Sequence, residues 1–432
     1  MPRRLTAEVD SLPCTGAPGP GAHDPNHRTV VRLDRRSVLL CLGGAALWGC
    51  ASADPPSVRL PSLDSLSLRR LRERDFAAAF DAVPGATTAS ADRIVAYRSD
   101  GLRVYARVAL PPADQPQPAA GWPALLWAHG YVGAGRVPAW GFDTDAGSLG
   151  SEVIRRFAQA GHIVIVPGFR GHGTVAGRRA EGLEWVQAFD NGSYLSPILY
   201  AIDLLHALQA LPSLSDALPG VAIDAKRVTV GGYSQGGDVA LTALAVASAP
   251  SRPQRLRAGV IWAGCIAGRL EQARYFGGME GSADALQDPA FFPHMPSWWK
   301  PSMYGGSIAE GIARKHRQLL DTVRLHLAEP GEISVQALAP QLARIDAWSQ
   351  PELIQARLQL HFSDHDHYSP PMWNEQLARG VMAAGGQVEA HLYRGNTHSF
   401  GVERGWSPAD AVAGLASSID RSLAFANRIT AA

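Results

Sequence analysis

The stretch Gly232-Tyr233-Ser234-Gln235-Gly236-Gly237 constrains the fold of this chain more than any other. An apolar run, Arg227-Val228-Thr229-Val230, precedes it, and Asp238-Val239-Ala240-Leu241-Thr242-Ala243-Leu244 follows. The first reads as a buried strand and the second as a helix packed on it. Between them the pattern G-x-S-x-G marks a sharp strand-to-helix turn that pushes the serine Oγ out above a sheet. Gly232 and Gly236 lack Cβ atoms, so strand and helix can approach closely enough to hold that turn.

The same two-element unit recurs along the chain. Strands are expected at 124–128, 162–167, 227–231, 258–262, 357–362 and 387–393, and helices at about 148–160, 195–210, 235–248, 370–385 and 408–427. Arg93–Tyr97 and Leu102–Leu110 form a leading hairpin through Ser99-Asp100-Gly101, and an amphipathic stretch is expected from Leu68 to Val83. Unbroken runs such as Ile163-Val164-Ile165-Val166 belong to a mostly parallel sheet with helices on both faces. About 95 residues separate the strand ending at Trp262 from the next, whereas a helical crossover needs only about 15–30. The excess holds Met295, Trp298, Trp299 and Met303 among prolines, and it reads as a helical lid over the carboxyl edge of the sheet, where ligands bind.

The first 50 residues read as a Pro/Gly-rich extension followed by an export signal. Arg35-Arg36-Ser37-Val38-Leu39 resembles a twin-arginine signal, and Leu47-Trp48-Gly49-Cys50 a bacterial lipobox in which Cys50 is lipidated. Residues 51–90 form a tether and a short helical segment, 91–267 and 351–432 the α/β core, and 268–350 the insertion. The expected location is outside the cytoplasm: periplasmic, secreted or lipid-anchored, with the anchor as the one membrane contact. Net charge is +1, and the arginine-rich stretches lack interleaved aromatics, so no nucleic-acid surface is expected. Cys265 is the one cysteine beyond the leader, so no internal disulfide is expected in the body.

A serine hydroxyl needs an adjacent base to act as a nucleophile, and the base needs an orienting carboxylate. His398, in Gly395-Asn396-Thr397-His398-Ser399-Phe400 after the last strand, is the candidate base. Both Asp364 and Asp366 lie just past the strand 357–362, and residue spacing does not choose between them. His361, His365 and His367 nearby could suggest a metal set, but a closed site needs a further ligand, so neither metal nor cofactor is expected. Oxyanion donors are expected from the backbone N–H of Gln235 and from Tyr131 in His129-Gly130-Tyr131.

With serine, acid, base and His-Gly loop quoted, the chain resembles α/β-hydrolases of the prolyl oligopeptidase (dipeptidyl-peptidase-like) branch, and is similar to bacterial secreted esterases and lipases. The resemblance covers about 92–427. It implies the α/β-hydrolase fold and a catalytic set of Ser234, Asp366 and His398. The family's G-x-S-x-G-G and G-x-x-H-x-F motifs are matched in full. In its acid loop, G-x-x-D-x-x-V-P, Ser363 and Ser369 replace Gly and Val, and the aligned acid is Asp366. Pro167-Gly168-Phe169-Arg170-Gly171-His172-Gly173 resembles the family's aromatic-Arg-Gly loop, which implies a supporting role for Arg170. Prolyl oligopeptidases carry a β-propeller before the catalytic domain, whereas only about 40 residues separate Cys50 from the first strand expected here. That departure and the Trp- and Met-bearing insertion turn the expectation toward carboxylic esters, with a small ester or short peptide as the bound partner. A serine peptidase and a non-catalytic surface binding protein are the alternatives.

Overall fold

Runs of Val, Ile and Leu too continuous for a one-sided sheet form the centre of the structure, as expected for strands buried on both faces. The computed structural model describes residues 60–88, 92–132, 148–188, 195–279, 307–324, 327, 331 and 333–430. By its contacts the chain divides into Met1–Ser57 and Val58–Ala432, and every described residue belongs to the second unit. The leader with Arg35, Arg36 and Cys50, and the segment with Met295, Trp298, Trp299 and Met303, lie outside the described residues.

The chain runs through α1 (Leu68–Glu73), β1 (Asp81–Thr87), β2 (Arg93–Ser99), β3 (Leu102–Ala109), β4 (Trp122–Ala128), α2 (Leu149–Gln159) and β5 (Ile163–Pro167). A small hairpin, β6 (Thr174–Val175) and β7 (Arg178–Arg179), precedes α3 (Leu183–Ala188), α4 (Ser196–Ala210) and α5 (Leu214–Ala217). Then come β8 (Ile223–Tyr233), α6 (Gln235–Ala247) and β9 (Ala258–Trp262). The insertion contributes α7 (Arg269–Met279), α8 (Ile308–Arg324) and α9 (Val335–Ala343). The chain closes with β10 (Arg357–Ser363), α10 (Pro371–Ala383), β11 (Val388–Tyr393) and α11 (Leu415–Thr430).

Among the described residues nine strands form one sheet in the order β1-β2-β3-β5-β4-β8-β9-β10-β11. The first three join antiparallel, and all pairs from β5 onward are parallel. Period-two alternation divides the core. Leu126, Val230 and Leu360 face α1, α4, α6 and α10, while Leu125, Trp127, Val164 and Val260 face α2 and α11. Ser196–Ala217 is apolar and long enough to cross a membrane by composition, but 78% of its most apolar window is buried inside this fold.

The β2–β3 turn is a two-residue hairpin in which Asp100 (φ 52°) and Gly101 (φ 80°) both occupy the left-handed region, the conformation that matches the strand twist. Two expectations need correction. The stretch Leu68–Val83 is helical only to Glu73, and Asp81–Thr87 pairs antiparallel with β2 as an edge strand. Pro84 and Gly85 hide that strand from a periodicity count, and an edge is where a sheet tolerates them. The final helix begins at Leu415, not near 408. Gly414 explains the delay. Its N–H donates to Asn396 Oδ1 (2.7 Å), a Cβ there would stand 2.2 Å from the Tyr393 ring, and its carbonyl accepts the first helical bond from Ser418 (2.8 Å), so the helix starts only after it.

The chain passes from β4 to β5 on one side and then to β8 on the other, so the loops after β4 and β8 diverge at a topological switch point. The register sets Ala128 beside Gly232, Tyr233 beside Trp262, and Ser363 beside Tyr393. The loops after β4, β8, β9, β10 and β11 therefore all leave the same edge.

Candidate active site

Ser234 sits between β8 and α6 with φ 57° and ψ −124°. A non-glycine residue in that region stores about 1–3 kcal/mol of strain. The surroundings over-determine it. Its N–H donates to Trp262 O (3.1 Å), and its carbonyl accepts from Gly237 (2.9 Å) and Cys265 (3.0 Å). A Cβ on Gly232 would lie 2.0 Å from Gly236 O, and one on Gly236 would lie 2.1 Å from Ala128 O. These two positions admit only glycine without a backbone shift, as the strand–turn–helix reading requires.

The structure separates the two aspartates. Asp366 lies with both carboxylate oxygens 2.8 Å from His398 Nδ1. The N–H groups of Tyr368 and Ser369 also donate to its Oδ1, each at 2.9 Å. Asp364 points elsewhere and accepts from Gly395 N at 2.6 Å, which pins the histidine loop to the acid loop. With Nδ1 facing a carboxylate, Nδ1 carries the hydrogen and Nε2 is left as the basic nitrogen. The His398 ring packs against Tyr233 (centroids 4.9 Å) and Tyr368 (5.1 Å), so it stands beside the residue that precedes Ser234. Ser234 Oγ is 3.8 Å from Cys265 Sγ. Among the described residues no hydrogen bond joins it to His398, a bond that often forms only when substrate is bound.

On the other side of Ser234 runs His129-Gly130-Tyr131, which leaves the end of β4. A Cβ on Gly130 would meet the Tyr233 ring at 3.3 Å and Ser234 Cβ at 3.5 Å, so this backbone lies against the serine. The buried His129 ring holds the loop from behind: Nδ1 is 2.8 Å from Gly130 O, and the ring packs 4.7 Å from Phe169. Burial lowers the His129 pKa below the ordinary imidazole value, so the ring is neutral. Phe169, itself at φ 62°, stacks on Tyr200 at 4.8 Å. Arg170 is buried with Asp203 (2.6 Å) and reaches Asp100 (3.2 Å). Burial opposes the guanidinium charge, the two carboxylates outweigh it, and the Arg170 pKa lies above its ordinary value. Gln235 is the first residue of α6, whose opening N–H groups have no acceptor within the helix. Tyr131 is 52% exposed.

His361, His365 and His367 do not converge. His361 is buried and bonded to Tyr393 Oη and Gln359 Oε1 (2.9 Å each), and His365 and His367 pack against Trp406. Among the described residues no group of three or more His, Cys, Asp or Glu is placed to hold a metal ion. A cleft of about 600 Å³ lined by Arg255, Arg257 and Arg357 opens at the opposite edge of the sheet, beside the starts of β9 and β10. Ser234 is not in its wall. Sequence reasoning missed Tyr233, Cys265, Tyr275 and Tyr368. Tyr233 lies inside the G-x-S-x-G motif and could have been found there. Tyr368 lies inside the acid-loop motif and could have been found likewise; Cys265 and Tyr275 carry no local signal.

No family model matches this sequence, and no curated protein matches it. The chain is similar to several solved structures. One is a puromycin-hydrolysing peptidase of Mycobacterium tuberculosis, with 18% identity and TM-score 0.49, over 81% of this chain and 41% of that one. Another is the acylaminoacyl peptidase of Pyrococcus horikoshii, with 14% identity and TM-score 0.48, over 78% and 41%. A third is a thermophilic esterase of Thermogutta terrifontis, with 15% identity and TM-score 0.42, over 76% and 91%. The match therefore spans about two fifths of the length of the two peptidases. The strand order, the elbow after β8 and the loops after β10 and β11 make this the α/β-hydrolase fold.

Proposed function

We propose that the chain is a serine hydrolase that cleaves carboxylic esters through an acyl-enzyme. The observation that carries the reading is the Asp366 carboxylate held 2.8 Å from His398 Nδ1, with that ring stacked beside the strained Ser234 turn. His398 Nε2 takes the proton as Ser234 Oγ attacks the acyl carbonyl. Asp366 holds the tautomer and faces the imidazolium that forms. The N–H groups of Gln235 and Tyr131 receive the oxyanion. As the tetrahedral intermediate collapses, the C–O bond to the alcohol breaks and His398 returns the proton to it. Water, deprotonated by the same nitrogen, then releases the acid and restores Ser234. No cofactor enters these steps.

Two features favour esters over a peptide's free amino terminus. Of Glu181, Glu184 and Asp190, the carboxylates the sequence offers for an ammonium group, Glu181 is committed to Arg103 N (2.7 Å) and Arg98 (3.4 Å). Beside the serine and histidine, Tyr131 and Tyr368 are exposed and suit an apolar acyl or alcohol group. A panel of p-nitrophenyl esters of increasing acyl length beside aminoacyl-p-nitroanilides tests this. Turnover of esters well above anilides supports it, and the reverse order assigns a peptidase. We propose in addition that Arg35-Arg36 and Cys50 belong to an export and lipidation signal. Cell fractionation tests that: Cys50→Ser should release the protein from membranes, and a cytoplasmic wild type that retains residues 35–50 would refute it.

A further inference from the structure

The insertion after β9 opens with α7, and one face of that helix touches three separate parts of the site. Arg269, Gln272 and Tyr275 follow at a spacing of three, so they share that face. Arg269 is buried and paired with Asp238, which lies in the first turn of α6, one turn beyond Ser234. Gln272 Nε2 donates to Cys265 O (3.0 Å) and Ala267 O (2.7 Å), in the segment whose Cys265 N–H holds Ser234 O. Tyr275 Oη donates to His367 O at 2.9 Å.

The last contact has a specific consequence. The His367 carbonyl and the Tyr368 N–H belong to one peptide plane, and that N–H donates to Asp366 Oδ1 at 2.9 Å. A planar peptide held at its oxygen is held at its hydrogen too. Tyr275 therefore fixes the orientation of a donor that fixes the acid, and by withdrawing electron density through the carbonyl it strengthens that donor. The phenol itself is anchored by its ring, which packs edge-on against Trp373 (5.1 Å). Trp348, at the far end of the insertion, donates from Nε1 to Trp373 O (3.2 Å) and holds α10, which carries that ring. Burial pushes the Tyr275 pKa up, so the hydroxyl keeps its hydrogen over the working range.

We infer that Tyr275 is a positioning residue, which acts through the His367–Tyr368 peptide to set Asp366 against His398, and that α7 belongs to the catalytic scaffold and not to a movable cover. The inference rests on Ser234, His398 and Asp366 being the catalytic set.

The test combines ester hydrolysis, thermal melting and the rate at which a fluorophosphonate labels Ser234, on the whole chain. Tyr275→Phe removes one oxygen and leaves the ring packing. It should lower kcat and the labelling rate about 5–20-fold with KM changed less than twofold. In an Asp366→Asn background the same change should cost less than twofold, because the residue it acts through is already disabled. Phe157→Leu, buried in α2 on the other face of the sheet, serves as the packing control: it should lower the melting temperature and leave the rate per folded molecule within about twofold. A wild type that fails to label would overturn the catalytic set itself. A labelled wild type with Tyr275→Phe as fast as wild type would overturn only the role of Tyr275. So would equal losses in both backgrounds, or a loss in Phe157→Leu that matches the one in Tyr275→Phe.

Discussion

Adding one methyl group at Gly236 should disable the site while leaving most of the core untouched. A Cβ there would stand 2.1 Å from Ala128 O and 2.4 Å from His129 O, both backbone atoms that cannot rotate away. A comfortable C···O contact is about 3.3 Å, so the end of β4 and the start of α6 must part by about 1 Å. That gap lies between Gln235 and Tyr131, the two N–H groups assigned to the oxyanion. A misplacement of about 1 Å can cost 10²-fold, and loss of one oxyanion donor costs about 10²–10³-fold. Gly236→Ala should therefore lower kcat on a short-chain p-nitrophenyl ester by about 10²-fold or more. KM should move far less, because the donors act on the transition state. Gly331→Ala, where a Cβ meets nothing within 4 Å among the described residues, is the control and should match wild type. Rates are to be taken per folded molecule, with the folded fraction from far-ultraviolet circular dichroism. A folded Gly236→Ala protein with kcat within threefold of wild type would refute the placement of the oxyanion donors.

Other predictions concern the acid, the pH range and the insertion. Asp366→Asn should lower kcat about 10³-fold or more, whereas Asp364→Asn, which loosens only the Gly395 contact, should cost less than about tenfold; the opposite ranking would move the acid to Asp364. His162 is lowered to about 4, by burial first and by Arg227 second. Above the unfolded value of about 6.5 both states are neutral there; below it the unfolded chain binds a proton that the native chain does not, so stability falls until about pH 4, by about 3 kcal/mol. Denaturant titrations of His162→Gln should show a shallower decline than wild type over that window, and parallel curves would contradict the burial argument. Replacing Trp298 and Trp299 together with Ala should weaken use of long acyl esters over short ones by about tenfold, since each lost methylene contact is worth about 1 kcal/mol. An unchanged ratio in the folded double mutant would remove both residues from acyl binding.

What the sequence disclosed follows from where its physics is local. Parallel strands such as Ile163–Pro167 are buried on both faces and announce themselves as apolar runs, and the Ser234 turn demands glycines at fixed offsets. Edge strand β1 faces solvent and carries Pro84-Gly85, so it left no such trace. The choice of Asp366 over Asp364 depends on which carboxylate the Tyr368 and Ser369 N–H groups converge on, a matter of loop geometry that no periodicity reaches. Tyr275 meets His367 across 92 residues of chain, a distance over which sequence pattern carries no signal.

The central claim is that Ser234 is a nucleophile driven by His398 and Asp366, and its most direct test is mapping where a fluorophosphonate attaches. Peptide mass spectrometry of the labelled protein should place one adduct on Ser234 in wild type. Ser234→Ala should carry none, and His398→Ala should label at least about 10³-fold more slowly. An unlabelled wild type, or an adduct on any other residue that survives Ser234→Ala, would contradict the account.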